Sequence, residues 1–124
     1  QLLHPHYEQH VLRMPMAEWP EPMLRSLAHI NPAVYVPMQG PSELGASGIL
    51  ADWDRTEALS GITVPTLVIG AAHDTMDPKW MEMMAGRLPN GRYLFCPDGS
   101  HMALYDDQAT YMAGLIDFLG DTSR

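Results

Sequence analysis

Two short apolar runs, each followed by a polar loop, constrain the fold of this chain more than any other feature. The first run covers residues 66–70 and the second covers 92–96. A segment with helical apolar spacing begins at Pro78, between the two runs. The first run does not alternate polar and apolar residues, which is typical of a strand covered on both faces. Strand, helix and strand in this order predict a βαβ unit with two parallel strands.

Two helices are predicted beside these strands. The first begins at Pro78, ends at the Pro-Asn-Gly turn at 89–91, and has Asp77 as its N-cap. The second begins at Tyr105 or Asp106 and ends at Gly120. Apolar residues at helical spacing predict the buried faces, which are Trp80, Met83, Met84 and Leu88 in the first helix and Tyr111, Met112, Leu115, Ile116 and Leu119 in the second.

The first half of the chain has a different organisation. Residues 1–39 are predicted to form short helices separated by prolines, with Asn31 as an N-cap, and such helices suit a cap or lid over another domain. Residues 40–61 are rich in turn-forming residues and are predicted to connect the cap to the core. Residues 62–124 are then the C-terminal part of the α/β core.

Composition and charge exclude some classes of binding partner and indicate the cellular compartment. A length of 124 residues suits one domain, and a formal net charge of −8 argues against nucleic acid or an anionic membrane surface as a partner. No apolar run approaches the length that spans a membrane. The single Cys96 fits a reducing compartment, so we expect a cytoplasmic protein. The chain starts at Gln1 without a signal segment, so we expect a piece of a longer protein.

Asp74 and His101 are the candidate catalytic residues. Each lies in the loop that follows one of the predicted strands. Chemistry in parallel sheets gathers beyond the carboxyl ends of the strands, so we expect the two side chains to lie side by side. A carboxylate that orients a histidine is two thirds of a hydrolytic triad. The order Asp then His is also that of the last two triad members in α/β-hydrolases.

These and other polar residues also have simpler interpretations. Asp74 could be a turn residue or a helix cap, although Asp77 lies nearer the helix, and His101 could be an ordinary loop histidine. Asp106 and Asp107 most simply begin the last helix. The N-terminal histidines lack carboxylates at ligand spacing, so a solvated helix face is favoured over a metal site, and neither metal nor cofactor is expected; these histidines are His4, His6 and His10.

The nucleophile of such a triad is missing from this sequence. α/β-hydrolases present it in Gly-x-Ser-x-Gly on a turn after a strand. The segment around Ser42 lacks the second glycine and a preceding strand, and Gly-Ala-Ser-Gly at 45–48 is one residue short. Cys96 lies within a predicted strand, where a small core residue is expected. We therefore expect the nucleophile to lie outside this chain.

Several motifs together resemble the proline iminopeptidase family of α/β-hydrolases, in the subgroup of the tricorn-interacting aminopeptidase. They are Asn-Pro-Ala-Val-Tyr at 31–35, Met-Gln-Gly-Pro-Ser-Glu at 38–43, Asp-Trp-Asp at 52–54, Val-Pro-Thr-Leu at 64–67 and Gly-Ser-His at 99–101. The later motifs are generic to α/β-hydrolases, whereas Gln-Gly-Pro-Ser-Glu is more specific to this family. The resemblance covers essentially the whole chain and corresponds to the later cap and the last two core strands.

The resemblance implies a role for three residues. Asp74 matches the triad acid, His101 matches the triad base, and Glu43 matches the acidic residue that binds the free N-terminal amine of the substrate. Close relatives often carry a second acid after the triad aspartate, where this chain has Thr75. The implied protein is a serine aminopeptidase that removes N-terminal proline or another small or apolar residue from peptides. Its serine and oxyanion hole would lie on an N-terminal remainder of the same hydrolase, and no cofactor would be needed.

The sequence leaves two alternatives open. One is an amino-acid amidase or esterase of the same fold, because one fewer acid weakens amine binding. The other is a non-catalytic binding module that keeps the fold and relics of the triad.

Overall fold

A computed structural model of the protein describes residues 3–42 and 45–122. Within these residues, no helix combines the length and the apolar character that crossing a bilayer requires. The elements in chain order are α1 (Leu3–His6), a π-helix (Tyr7–Val11), a 3-10 helix (Met16–Glu18), α2 (Glu21–Ala28), α3 (Pro32–Gln39), 3-10 helices (Ile49–Asp52 and Thr56–Gly61), β1 (Thr66–Ala71), α4 (Pro78–Arg87), β2 (Gly91–Cys96), α5 (Ala103–Asp106) and α6 (Gln108–Thr122).

The two strands pair in parallel, as the sequence predicts. The register runs from Thr66 opposite Gly91 to Ala71 opposite Cys96, so both strands end at the same edge of the sheet. Each strand is one residue longer than predicted. Parallel neighbours need a crossover connection, and α4 supplies it.

Helix α4 covers one side of the strands. Asp77 is its N-cap, with the side chain accepting a hydrogen bond from the amide of Lys79 at 2.9 Å, as predicted. Ala85 and Leu88 are buried with Val68 of β1, and Met81 packs against them. The predicted burial of Trp80 is wrong, because its side chain is 64% exposed. Met81, Ala85 and Leu88 set the contact face, and Trp80 lies one position, about 100°, away from it.

A second core cluster joins the ends of the strands to the last helices. Ala71, Cys96 and Ala103 are buried there, and Leu94 and Tyr111 pack against them. The single last helix predicted from Tyr105 or Asp106 is instead two helices, because the chain leaves the helical conformation at Asp107, between α5 and α6.

The buried face of α6 differs from the prediction. Phe118 is buried, whereas Ile116 and Leu119 are 67% and 52% exposed. The side chain of Leu94 lies so close to Gly114 that a β-carbon there would come within 2.6 Å of it. Tyr111, Gly114 and Phe118 share one helical face, so Ile116 and Leu119 point away from the contact with β2.

The chain divides into two compact units. Gln1–Glu18 and Thr56–Arg124 form one unit, and Trp19–Arg55 forms the other. Within the second unit, Asn31 caps α3 by accepting a hydrogen bond from the amide of Ala33 at 3.0 Å, as predicted. The assignment of 1–39 to a cap, 40–61 to a connection and 62–124 to the core stays a prediction.

Candidate active site

The candidate site is built on the two loops that follow β1 and β2. The amide of Ala72 donates to the carbonyl of Cys96 at 3.0 Å, and that of His73 donates to the carbonyl of Gly99 at 3.0 Å. These bonds continue the pairing of the strands into the loops. Asp74 and His101, one in each loop, are thereby brought to the same edge of the sheet.

The side chains of Asp74 and His101 are hydrogen-bonded. Oδ1 of Asp74 lies 3.0 Å from Nδ1 of His101. An ionised carboxylate can only accept, so Nδ1 carries the hydrogen and the imidazole is held by that nitrogen. The Asp74 side chain is 9% exposed and that of His101 is 39% exposed. The carboxylate is therefore sheltered, while the imidazole is open to a reacting molecule.

The local contacts keep Asp74 ionised. Burial raises the pKa of its carboxyl group, but hydrogen bonds from His101, from the amide of Met76 and from the hydroxyl of Thr75 outweigh burial, and the pKa falls below the ordinary value of 3.8. The bonds from Met76 and Thr75 are each 3.1 Å long. The bond from Met76 shows that Asp74 is also a turn residue. Asp74 therefore both stabilises its turn and pairs with His101.

The loop that carries His101 is tied to the N-terminal segment of the same unit. The amide of His101 donates to the carbonyl of His10 at 3.0 Å, and the amide of Met102 donates to that of Val11 at 2.8 Å. The preceding amide, of Ser100, donates to Oδ1 of Asp106 at 3.0 Å. No sequence pattern indicated these contacts, because they join residues about 90 positions apart or depend on the break before α6.

Glycine is required at position 99 for close packing under the loop. A β-carbon there would lie 2.7 Å from the β-carbon of Ala103 and 3.1 Å from that of Cys96. Both neighbours are buried members of the core cluster. The turn before His101 therefore packs directly against the buried cluster, and this contact fixes the position of the turn relative to the sheet.

Cys96 and Ser100 lie near the pair, but neither has the properties of its nucleophile. The Cys96 thiol is fully buried, and burial, with smaller effects of Asp107 and Asp106, raises its pKa to about 11. It is a small core residue, as predicted. The Ser100 side chain is 1% exposed, and its hydroxyl bonds to the carbonyl of Val11 at 2.8 Å and to Oδ2 of Asp106.

The solvated helix face predicted for the N-terminal histidines is confirmed for His4, which is exposed, and is wrong for His10, which is half-buried and contributes to the scaffold. Nδ1 of His10 lies 2.9 Å from the carbonyl oxygen of His73, so it donates to the loop after β1. The rings of His6 and His10 are 5.1 Å apart and tilted. Among residues 3–42 and 45–122, no group of three or more His, Cys, Asp or Glu side chains is arranged to hold a metal ion.

Glu43, the predicted amine-binding residue, lies outside the described residues. Its role therefore stays a prediction from the resemblance.

Comparison with known proteins places this geometry in a family context. The chain is 52% identical over 124 residues to a proline iminopeptidase of Elizabethkingia meningoseptica and 50% identical over 117 residues to one of Flavobacterium johnsoniae. It is 42% identical over 118 residues to one of Chitinophaga pinensis. The resemblance to the proline iminopeptidase family is therefore confirmed. The three matches cover 94–98% of this chain but only 39–41% of the relatives. No family model matches the chain.

Solved structures give the same result for the fold. A proline iminopeptidase of Mycobacterium smegmatis superposes with a TM-score of 0.84 at 30% identity, covering 95% of this chain and 40% of that one. VinJ superposes with a TM-score of 0.87 at 29% identity, covering 97% of this chain and 40% of that one. The fold class predicted from the sequence, the C-terminal part of an α/β-hydrolase, is confirmed.

Proposed function

We propose that this chain is the C-terminal part of a serine hydrolase of the proline iminopeptidase type, which removes an N-terminal proline or another small or apolar residue from peptides. One observation carries the proposal. Asp74 and His101 are hydrogen-bonded at 3.0 Å at the ends of two adjacent parallel strands, in a chain about half identical to proline iminopeptidases.

The pair supplies the acid–base part of a triad. With Nδ1 of His101 donating to Asp74, Nε2 is the nitrogen that would take the proton of an attacking serine hydroxyl. The imidazolium formed in that step would be stabilised by the adjacent ionised carboxylate. His101 would then return the proton to the departing amine, and a second cycle with water would release the N-terminal residue.

The serine nucleophile and the oxyanion hole belong, in this proposal, to the part of the hydrolase that the chain does not span. The chain corresponds to about two fifths of its relatives. The unit that contains the strands also presents large apolar side chains on three different elements, since Trp80 is 64%, Phe95 44% and Ile116 67% exposed. Such surfaces are typical of a core that is completed by further strands and helices.

The free amine of the substrate would be bound by Glu43. An ammonium group in a partly dry pocket needs a carboxylate partner. The family resemblance assigns this role to Glu43, and the preference for proline over other first residues would depend on the pocket around it.

The proposal is tested on the complete protein with a fluorophosphonate probe and a panel of aminoacyl arylamides. We expect one labelled serine and cleavage of prolyl or small apolar arylamides, with both lost in His101→Gln. Glu43→Gln should raise KM for substrates with a free amine and leave N-acylated esters unaffected, because only the former need a carboxylate.

Each alternative has its own outcome. An amidase or esterase would be favoured if a serine is labelled and the protein cleaves amino-acid esters or amides but not peptides. Glu43→Gln should then leave that cleavage unchanged. No labelled serine in the complete protein would favour a binding module and would contradict the proposal.

A further inference from the structure

We propose that Asp106 is a positioning residue for His101, holding the loop that carries the imidazole against the N-terminal segment. The inference rests on the proposed function, because it concerns how the base of that site is kept in place. It assigns no direct contact between Asp106 and substrate.

The carboxylate of Asp106 accepts hydrogen bonds from three donors, which belong to two distant parts of the chain. Oδ1 accepts from the amide of Ser100 at 3.0 Å. Oδ2 accepts from the amide of Arg13 at 3.0 Å and bonds to the hydroxyl of Ser100. Because a hydroxyl has one proton, Asp106 and the carbonyl of Val11 compete for that of Ser100. One side chain thus links the turn before His101 to Arg13, which lies 93 positions before Asp106 in the chain.

These contacts fix the backbone on both sides of His101. The amides of three successive residues, Ser100, His101 and Met102, donate to Asp106, His10 and Val11 respectively. The direction in which a side chain leaves the backbone is set by the peptide units that flank it. Holding all three amides therefore orients the imidazole toward Asp74 before any substrate binds, which is the condition for efficient proton transfer.

A general effect of negative charge near the start of α6 would not account for this arrangement. Asp107 lies next to Asp106 and closer to α6, and among the described residues its carboxylate accepts one hydrogen bond, from the amide of Asp98 at 3.2 Å. Both aspartates would interact similarly with the helix dipole. Asp106 bonds to Ser100, the residue next to His101, whereas Asp107 bonds to Asp98, three residues before His101, so Asp107 is a control with the same charge and a more distant contact.

Asp106→Asn replaces one carboxylate oxygen by an NH2 group, so the side chain can no longer accept from the amides of both Ser100 and Arg13. In the complete protein we expect kcat per labelled serine to fall by up to roughly 100-fold, because small displacements of a catalytic group have effects of this size. KM should stay within about twofold, since substrate contacts are unchanged. Asp107→Asn should leave both parameters near those of the wild type.

The position of His101 is measured independently by NMR titration of its imidazole, assigned by comparison with His101→Gln. Looser contact with Asp74 stabilises the imidazolium less, so in Asp106→Asn the pKa of His101 should move to lower pH. The acid limb of kcat/KM against pH should move in the same direction. Asp107→Asn should show neither shift, and a variant that is merely less stable would also show neither.

Ser100→Ala provides a second variant if Asp106→Asn does not fold, because it removes only the hydroxyl and should give smaller changes in the same direction. The positioning role is overturned if the folded variants keep the wild-type kcat and imidazole titration, or if Asp107→Asn causes equal losses. If the wild type cleaves no aminoacyl arylamide, the proposed function fails, while the titration of His101 still decides the role of Asp106.

Discussion

The carboxylate of Asp74 and the imidazole of His101 lie 3.0 Å apart although the two residues are 27 positions apart in the chain. Their proximity follows from the register, in which Ala71 pairs with Cys96 and both strands end together. Loops of similar length then place each side chain above the same edge. The parallel pairing of two strands thus brings together two polar residues that are distant in the sequence.

Asp74→Asn should abolish most of the activity of the complete protein while preserving its fold. The amide has nearly the shape of the carboxylate, but it can neither stabilise an imidazolium nor hold Nδ1 as the protonated nitrogen. We expect kcat to fall by roughly 10⁴-fold, as is typical when a triad aspartate becomes asparagine. Active-site-titrated hydrolysis of an aminoacyl arylamide measures the effect.

Asp77→Asn is the matched control for that experiment. It makes the same charge change three residues away, at the N-cap of α4, where asparagine caps as well as aspartate. We expect near wild-type kcat and circular dichroism. Equal losses in the two variants would show that Asp74 acts through the local structure and not through His101.

Acid should selectively remove the stabilising effect of Asp74. Its pKa in the folded state is below the ordinary 3.8, so at acidic pH the unfolded state binds more protons than the folded state. The stabilisation is complete at pH values above the pKa of Asp74 in the unfolded state. It is lost as the pH falls through the pKa of Asp74 in the folded state. In urea unfolding, the advantage of the wild type over Asp74→Asn should therefore shrink between about pH 5 and pH 2. An advantage that stays constant or grows over this range contradicts the lowered pKa.

Gly99→Ala should displace the loop that carries His101, because the new β-carbon would clash with the core beneath that loop. Its β-carbon would meet buried carbon atoms of Ala103 and Cys96 at 2.7 and 3.1 Å, so the turn must move. Overpacking of this kind costs about 1–3 kcal/mol, and the displaced imidazole should lower kcat as well. Thermal unfolding and active-site-titrated kinetics on the complete protein measure the two effects.

Gly86→Ala is the control, because a β-carbon at that position in α4 meets nothing within 4 Å. Alanine in a helix is favoured over glycine by about 0.5–1 kcal/mol, so this variant should be more stable with unchanged kcat. If Gly99→Ala behaved in the same way, the close packing beneath the loop would not be a constraint.

The strands and the Asp74–His101 pair could be predicted because their determinants are local. Two apolar runs, turn-forming loops and the Asp-Pro start of a helix are visible in short windows of sequence, and parallel pairing then brings the loop residues together. The burial of individual helix residues was less predictable. Trp80 and Ile116 match the helical period but lie off the faces that contact the strands.

The role of Asp106 could not be predicted in this way. Its partners Arg13 and Ser100 are far apart in the chain, and the bond to Arg13 spans 93 positions. An aspartate near the start of a helix already has a sufficient local explanation in the helix dipole. Only the folded contact between the N-terminal segment and the loop after β2 reveals the second role.

Cys96 should be nearly inert to thiol reagents in the folded protein. Burial raises the pKa of its thiol from 9.0 to about 11, and the thiolate is the reactive form. At pH 8 the thiolate fraction falls roughly 100-fold relative to an unperturbed thiol, and the lack of exposure slows the reaction further. Iodoacetamide labelling, followed by mass spectrometry of the peptide that contains Cys96, should be fast in urea and slow in its absence. Similar rates in both conditions would show that the strand ends open readily, and the loops that hold Asp74 and His101 would then lack the rigid base on which their alignment depends.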